Sequence, residues 1–239
     1  MNRPKITRRR FVITTGTLAA GSAALGLNLD YGYRSDRNAE KQIVSIVRIR
    51  DGNVAGAVEE AIDLLGGISK VTEGRNRIML KPNLVSDSPV ATTKPAVVKA
   101  VAELMQKAGK EVLIGEGSAA AYPFNANETE VFRTNKREIL DKMQQHVFDA
   151  LGYSEMAKSL NIPLINLHSG DIVEVSLPRG YASKSVKIHR SLTDIDLLCS
   201  IPMMKTHQLA TVTLAMKNLI GLYPGTEYYS VRSWLHDRA

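Results

Sequence analysis

The stretch Arg77–Ser118, RIMLKPNLVSDSPVATTKPAVVKAVAELMQKAGKEVLIGEGS, settles the fold class because it holds a whole strand, loop, helix and strand in one reading. Arg77–Lys81 is a short apolar run of strand type, and Pro82–Asn83–Leu84–Val85 leaves it. A polar loop, Ser86–Lys94, leads to a helix at Pro95–Ala108, with proline near its first turn and Gly109 after its end. Val112–Gly115 is the next strand, and the chain turns sharply through Gly115–Glu116–Gly117–Ser118.

Towards the N-terminus the same alternation continues. Ile43–Ile49 (IVSIVRI) is rich in β-branched residues and reads as a strand. Asn53–Leu65 follows with Val54, Ala57, Val58, Ala61, Ile62 and Leu65 at helical spacing, Asn53 as its N-cap and Gly66–Gly67 as its stop. Three strand-to-helix steps predict parallel strands joined by right-handed crossovers.

Towards the C-terminus, Ala119–Glu130 is a loop long enough to lie over a site. Glu130–Leu151 reads as one helix or two, and Ser154–Leu160 as a short helix capped by Ser154. Pro163–Leu167 is of strand type. Val173–Leu177 and Val186–Ile188 flank Pro178–Tyr181 and predict a hairpin. A buried strand ends at Cys199–Ser200–Ile201 and is closed by Pro202; Lys205–Thr206–His207 leaves it as a polar loop. Thr211–Ile220 fits a helix stopped by Gly221, with a turn at Pro224–Gly225. The expected fold is three-layer α/β: a mostly parallel sheet with helices on both faces and an added β-hairpin, forming a single domain over residues 43–239.

Composition narrows the function classes. The net charge of +7 suggests nucleic acid at first sight, but Arg3, Lys5, Arg8, Arg9 and Arg10 precede residue 11, and the remainder carries 26 basic against 24 acidic residues. No basic stripe with interleaved aromatics appears, so nucleic acid is not an expected partner. The single cysteine, Cys199, excludes an internal disulfide framework and any multi-cysteine zinc or iron–sulfur site within this chain, and its apolar neighbours make it a small core residue.

Residues 1–29 have a basic start, an apolar middle from Phe11 to Leu27 and small residues around Ser22–Gly26, the parts of an export signal. Thr7–Arg8–Arg9–Arg10–Phe11–Val12–Ile13 resembles the twin-arginine motif of the Tat pathway. The expected partner during export is therefore the Tat translocase, and the expected location periplasmic or extracytoplasmic. An uncleaved leader acting as a membrane anchor is the alternative. Residues 30–42 read as a linker.

Three polar clusters each follow an expected strand: Lys81–Pro82–Asn83, Gly115–Glu116–Gly117–Ser118, and Lys205–Thr206–His207 with Lys217–Asn218 behind it. Parallel strands bring such clusters to one edge, where open α/β sheets place ligands. Cations, amides, a carboxylate and an imidazole gathered there suit a small anionic ligand, a carboxylate or a phosphate. On this reading Lys81, Lys205 and Lys217 neutralise it and Asn83 and Asn218 orient it. His207 acts as base or metal ligand, and Glu116 as acid/base or metal ligand. Thr92 and Thr93, before Lys94–Pro95, stand where hydroxyls bind an oxyanion or simply cap a helix, and Ser118 joins the ligand-binding set. Each has a plainer alternative: a turn for Glu116, a structural imidazole for His207, an outward-snorkelling side chain for Lys217. This set leaves the cofactor open and admits a divalent metal. Gly115–Glu116–Gly117 lacks the third glycine of a dinucleotide fingerprint, and His146, His168, His189 and His236 show no metal-ligand spacing.

These clusters together resemble the bacterial and archaeal family called domain of unknown function 362. The residues that carry the resemblance are Lys81–Val85, Thr92–Pro95, Gly115–Ser118, Ile201–Pro202 with Lys205–His207, and Lys217–Asn218 through Gly221 to Pro224–Gly225. Members often have histidine where this chain has Lys94. Some relatives carry ferredoxin-like iron–sulfur segments, which implies a redox setting for them and a redox partner protein as an alternative here. The region around His207 is also distantly similar to sheet-edge sites of nickel-dependent lactate racemase-like proteins. Family members continue beyond the Trp234–His236 region, so the resemblance implies a chain cut short at its C-terminus. The leading expectation is an enzyme-like exported protein that binds a small anion; the competing one is a non-catalytic solute-binding or redox-accessory protein.

Overall fold

The computed structural model describes residues 43–180, 183–207 and 211–232. The leader, the linker and the Trp234–His236 region lie outside the described residues. In chain order the strands are β1 (Arg77–Pro82), β2 (Glu111–Glu116), β3 (Leu164–Asn166), β4 (Ile172–Ser176), β5 (Ser185–His189), β6 (Leu197–Ile201), β7 (Lys205–His207) and β8 (Thr211–Thr213). Four of them form one parallel sheet in the order β3-β2-β1-β6, with helices that complete a three-layer α/β fold.

β1 and β2 are the interior strands, and their sequences show it. Ile78, Met79 and Leu80 are fully buried and Val112, Leu113 and Ile114 nearly so, the continuous apolar run expected of a strand covered on both faces. Ile78, Leu80, Val112 and Ile114 belong to the main core. They pack there with Val98, Val101 and Met105 of helix Pro95–Lys107 and with Leu140, Met143 and Val147 of helix Arg137–Ala150. Each fully buried aliphatic side chain contributes about 1.5–3 kcal/mol. Strand alternation puts Met79 and Lys81 on the other face. The chain steps from β1 to β2 to β3 on one flank and returns to the far side of β1 as β6, so the order reverses at the β1–β6 boundary.

Local chemistry sets the element ends. Asn53 accepts a hydrogen bond from Gly56 N at 2.9 Å and starts helix Val54–Asp63. Pro95 opens its helix without losing a bonded N–H, and Gly109, at φ +73°, ends it.

Several expectations change. Ile43–Ile49 is not a strand: it pairs with nothing in the described residues, and Ile43, Val44 and Ile46 are 68%, 78% and 87% exposed. Both sides of β1 are already taken by β2 and β6, and β propensity without a partner strand makes no ladder. β6 is an edge strand, half-buried along its length. Ser154 does not cap helix Tyr153–Leu160; Gly152, in the left-handed conformation, holds that position and Ser154 bonds Asp149 instead. The helix expected from Glu130 starts at Arg137. Before it, buried Asn125 ties the 119–134 loop together, accepting from Ala121 N and donating to Ala119 O, Phe132 O and Ser230 Oγ. The hairpin β4–β5 is present as its own two-stranded ladder. Lys205–His207 is a strand paired with Thr211–Thr213, not a free loop. The expected helix Thr211–Ile220 shrinks to Ala215–Asn218 followed by a 3-10 turn, Leu219–Leu222.

Candidate functional site

β1, β2 and β6 run parallel, so Lys81, Glu116 and Ser200 reach the same carboxyl edge, beside the point where strand order reverses. A cleft of about 240 Å³ opens there. It brings together six of the residues expected from the sequence: Lys81, Asn83, Glu116, His207, Lys217 and Asn218. Thr92, Thr93, Ser118 and Lys205 do not line it.

Its floor is a buried ion pair. Lys81 is fully buried and Glu116 is 2% exposed; Lys81 Nζ donates to Glu116 Oε1 at 2.7 Å. The carboxylate is fully engaged, because Gly117 N also donates to Oε1 at 2.8 Å and Leu84 N donates to Oε2 at 2.8 Å. Lys81 Nζ donates further to Pro82 O and to Asn218 Oδ1 at 3.1 Å. Burial pulls the Lys81 ammonium below lysine's ordinary range, and Glu116 pulls it back.

Asn218 locks the network. Its Nδ2 donates to Lys81 O at 2.9 Å and Ser200 Oγ at 3.0 Å, so its Oδ1 must be the acceptor facing Lys81. Asn83 Nδ2 donates to that same Oδ1 at 3.3 Å, which fixes the Asn83 amide with its own Oδ1 buried and without a partner among the described residues. Thr93 explains why Asn83 sits here. Its hydroxyl accepts from Asn83 N at 2.9 Å and donates to Ile201 O at 2.7 Å, clamping the ends of β1 and β6. Thr92 Oγ1 donates to Ser88 O within the same loop. Neither threonine caps the following helix, whose N-cap is Lys94 without a side-chain bond to the helix. Ser118 is buried behind the cleft, its N–H donating to Gln144 Oε1.

Two glycines let the far wall close on this floor. A Cβ at Gly221 would lie 2.2 Å from Glu116 Oε1 and 2.7 Å from Lys81 Nζ, and one at Gly117 would lie 2.7 Å from Gly221 O. Gly221 is therefore a close-approach residue within the 3-10 turn, where the sequence suggested a helix stop.

Sequence reasoning missed two buried groups. Arg232 is 4% exposed and lines the cleft. Its guanidinium donates to the carbonyls of Tyr223, Gly117, Ser118 and Ser230 and to His168 Nδ1. Burial lowers its pKa to about 10 while Glu116 opposes the shift. His168 is fully buried, and burial followed by Arg232 holds its imidazole well below the usual range, so it is neutral at pH 7. It follows β3, and the strand-end rule that singled out the other clusters applies equally to it.

Lys217 lines the cleft, and Lys205 stands near it outside the lining. Lys217 is half-buried; burial first, and the neighbouring Lys205 charge second, lower its pKa. Lys205 is lowered by burial and donates to Ala91 O. His207 borders the cleft from β7. No three His, Cys, Asp or Glu side chains group to hold a metal among the described residues, and Glu116, an expected donor, has both oxygens taken by N–H groups. That donor set fits a metal poorly. No helix of the described residues is long and apolar enough to cross a membrane.

Comparison with known proteins gives the chain's relatives. Thylakoid-associated protein sll1697 of Synechocystis sp. is 25% identical over 207 residues, which cover 82% of this chain and 54% of that protein, so the chain spans about half the relative's length. The family model described as domain of unknown function (DUF362) matches residues 78–238, which take in the whole cleft from Lys81 to Arg232. With well over half of its length matched, the chain belongs to the DUF362 family.

Proposed function

We propose that the cleft receives a small anionic ligand, a carboxylate or a phosphate. Lys217 carries this reading. Lys81 is occupied by Glu116, and all the N–H groups of Arg232 point at carbonyls or His168. The Lys217 ammonium borders the cleft half-buried and makes no hydrogen bond or ion pair among the described residues. A cation partly stripped of water, with a second lysine near it, is stabilised by an incoming anion. Asn83 Oδ1 supplies a buried acceptor that orients a donor on the ligand or an intervening water.

His207 on the same cleft supports the enzyme-like version, with the imidazole as base. The engagement of Glu116 by three N–H donors favours the second reading, a solute-binding or accessory protein that holds its ligand with cations and amides.

Lys217→Met should weaken binding of inorganic phosphate or acetate about 10- to 100-fold, measured by titration calorimetry, the loss of one charge-assisted contact. Binding to the native protein should also fade with rising pH earlier than for an ordinary lysine site. The depressed pKa of Lys217 means that its charge is present at low pH and lost below lysine's usual range. Equal affinity in the native protein and the variant would sink the assignment of Lys217.

Export by the Tat pathway is supported by Thr7–Arg8–Arg9–Arg10–Phe11, and the Synechocystis relative is a thylakoid-associated protein. Substituting Arg8 and Arg9 together by lysine should leave the protein in the cytoplasmic fraction; unchanged export would remove this proposal.

A further inference from the structure

The cleft is not polar throughout. Above the ion-pair floor, its walls are Val85, Ala119, Ile220 and Val231, none of them buried, and Val85 is 36% exposed. These side chains come from three separate segments: the loops after β1 and β2, and the stretch from the 3-10 turn to Val231. Next to Lys217 on its short helix, Met216 is 87% exposed, and Met204, immediately before Lys205, is 73% exposed. Lys217 on the cleft and Lys205 near it are thus each preceded by an exposed methionine, a flexible apolar side chain that adapts to irregular apolar partners.

Volume points the same way. The 240 Å³ of the cleft equals about eight waters of liquid volume, more than a bare phosphate or carboxylate fills. A wholly polar solute would leave the four wall residues against water or against unsatisfied polar atoms. An apolar group placed there removes both from water.

We infer that the ligand is an amphiphilic anion: a phosphate or carboxylate head set against Lys217, carrying an alkyl or similar apolar group along Val85, Ala119, Ile220 and Val231. This rests on the anion-binding reading of the cleft and adds the chemical class of what the anion is attached to. The source is a soluble metabolite of that class or the head region of an anionic lipid, and the two share the chemistry that the cleft recognises.

The test is titration calorimetry on the folded protein with two homologous series, inorganic phosphate through methyl, butyl and hexyl phosphate, and acetate through hexanoate. Affinity should rise with each added methylene, by up to about fourfold for a fully buried one, and level off when the walls are covered. Ile220→Ser should flatten this rise, so that hexyl phosphate gains less over methyl phosphate than it does in the native protein. Val85→Thr, nearly isosteric and on a partly exposed side chain, should do the same more weakly and guards against misfolding of the first variant. Lys217→Met should lower every member of a series by a similar factor. Equal affinity along both series overturns the amphiphile inference while the anion reading stands. No binding of any member overturns the anion reading itself. Sedimentation with phosphatidic acid vesicles, against phosphatidylcholine vesicles, then separates the sources: binding to the former together with hexyl phosphate supports a lipid head, and binding of hexyl phosphate alone a soluble ligand. Vesicle binding without any response to hexyl phosphate overturns the cleft as the apolar site.

Discussion

Lys81→Met is expected to lower folding stability by about 3–5 kcal/mol, the cost of leaving a buried charge without its partner. Glu116 is 2% exposed, and without Lys81 only the N–H groups of Leu84 and Gly117 would face its carboxylate. Glu116→Gln should destabilise for the complementary reason. It strips the counter-charge from the fully buried Lys81 and from Arg232, which has no carboxylate bonded to it among the described residues. Leu84 N and Gly117 N bond different oxygens of the carboxylate, so the glutamine oxygen can accept from only one of them. The double variant Lys81→Met with Glu116→Gln still removes the charge imbalance at the floor. Its cost should fall short of the sum of the two single costs by about 2 kcal/mol. Urea unfolding of the four proteins gives all of these values. Additive losses would mean that the pair is two independent buried groups and would remove the basis for treating it as the floor of the site.

What was legible in the sequence is what depends on near neighbours in the chain. The β1–helix–β2 unit follows from an apolar run, a proline at a helix start and a glycine after its end, all within Arg77–Ser118. Parallel strand order then carries Lys81 and Glu116 to one edge without further information. The failures depend on partners far away. Ile43–Ile49 has the composition of a strand, yet pairing is decided by which strands flank β1, and each β6 residue paired with β1 lies 119 residues further along the chain. Arg232 reaches the cleft because its guanidinium meets carbonyls at Gly117 and Ser118, 115 and 114 residues away, and nothing in Ser230–Val231–Arg232 announces it. The sequence pattern puts Lys217–Asn218 on a helix from Thr211 to Ile220, and the helix has four residues, Ala215–Asn218. The residues still reach the site because Asn218 is held by hydrogen bonds to Lys81 and Ser200, not by the helix.

Gly221→Ala should damage stability and binding together, and the reason separates it from ordinary glycine substitutions. The φ of Gly221 is outside the left-handed region, so alanine meets no backbone penalty and even loses less conformational entropy on folding. Any loss is therefore steric. The added methyl carbon would lie 2.2 Å from Glu116 Oε1 and 2.7 Å from Lys81 Nζ. Ends of long side chains usually give way, but these two are buried and held to each other, to two backbone amides and to Asn218. Relief requires the Leu219–Leu222 turn to back away from the sheet edge, and that turn carries Ile220 of the cleft wall and follows directly on Lys217–Asn218. The expected cost is about 1–3 kcal/mol for overpacking, with at least tenfold weaker phosphate or acetate binding, while Met216→Ala on the exposed side of the neighbouring helix should stay within about 0.5 kcal/mol of the native protein. Loss of stability with intact binding would show that the turn moves without carrying Lys217 with it. Intact stability and binding would mean that the ion pair yields, and the rigid floor argued from its hydrogen bonds would have to be abandoned.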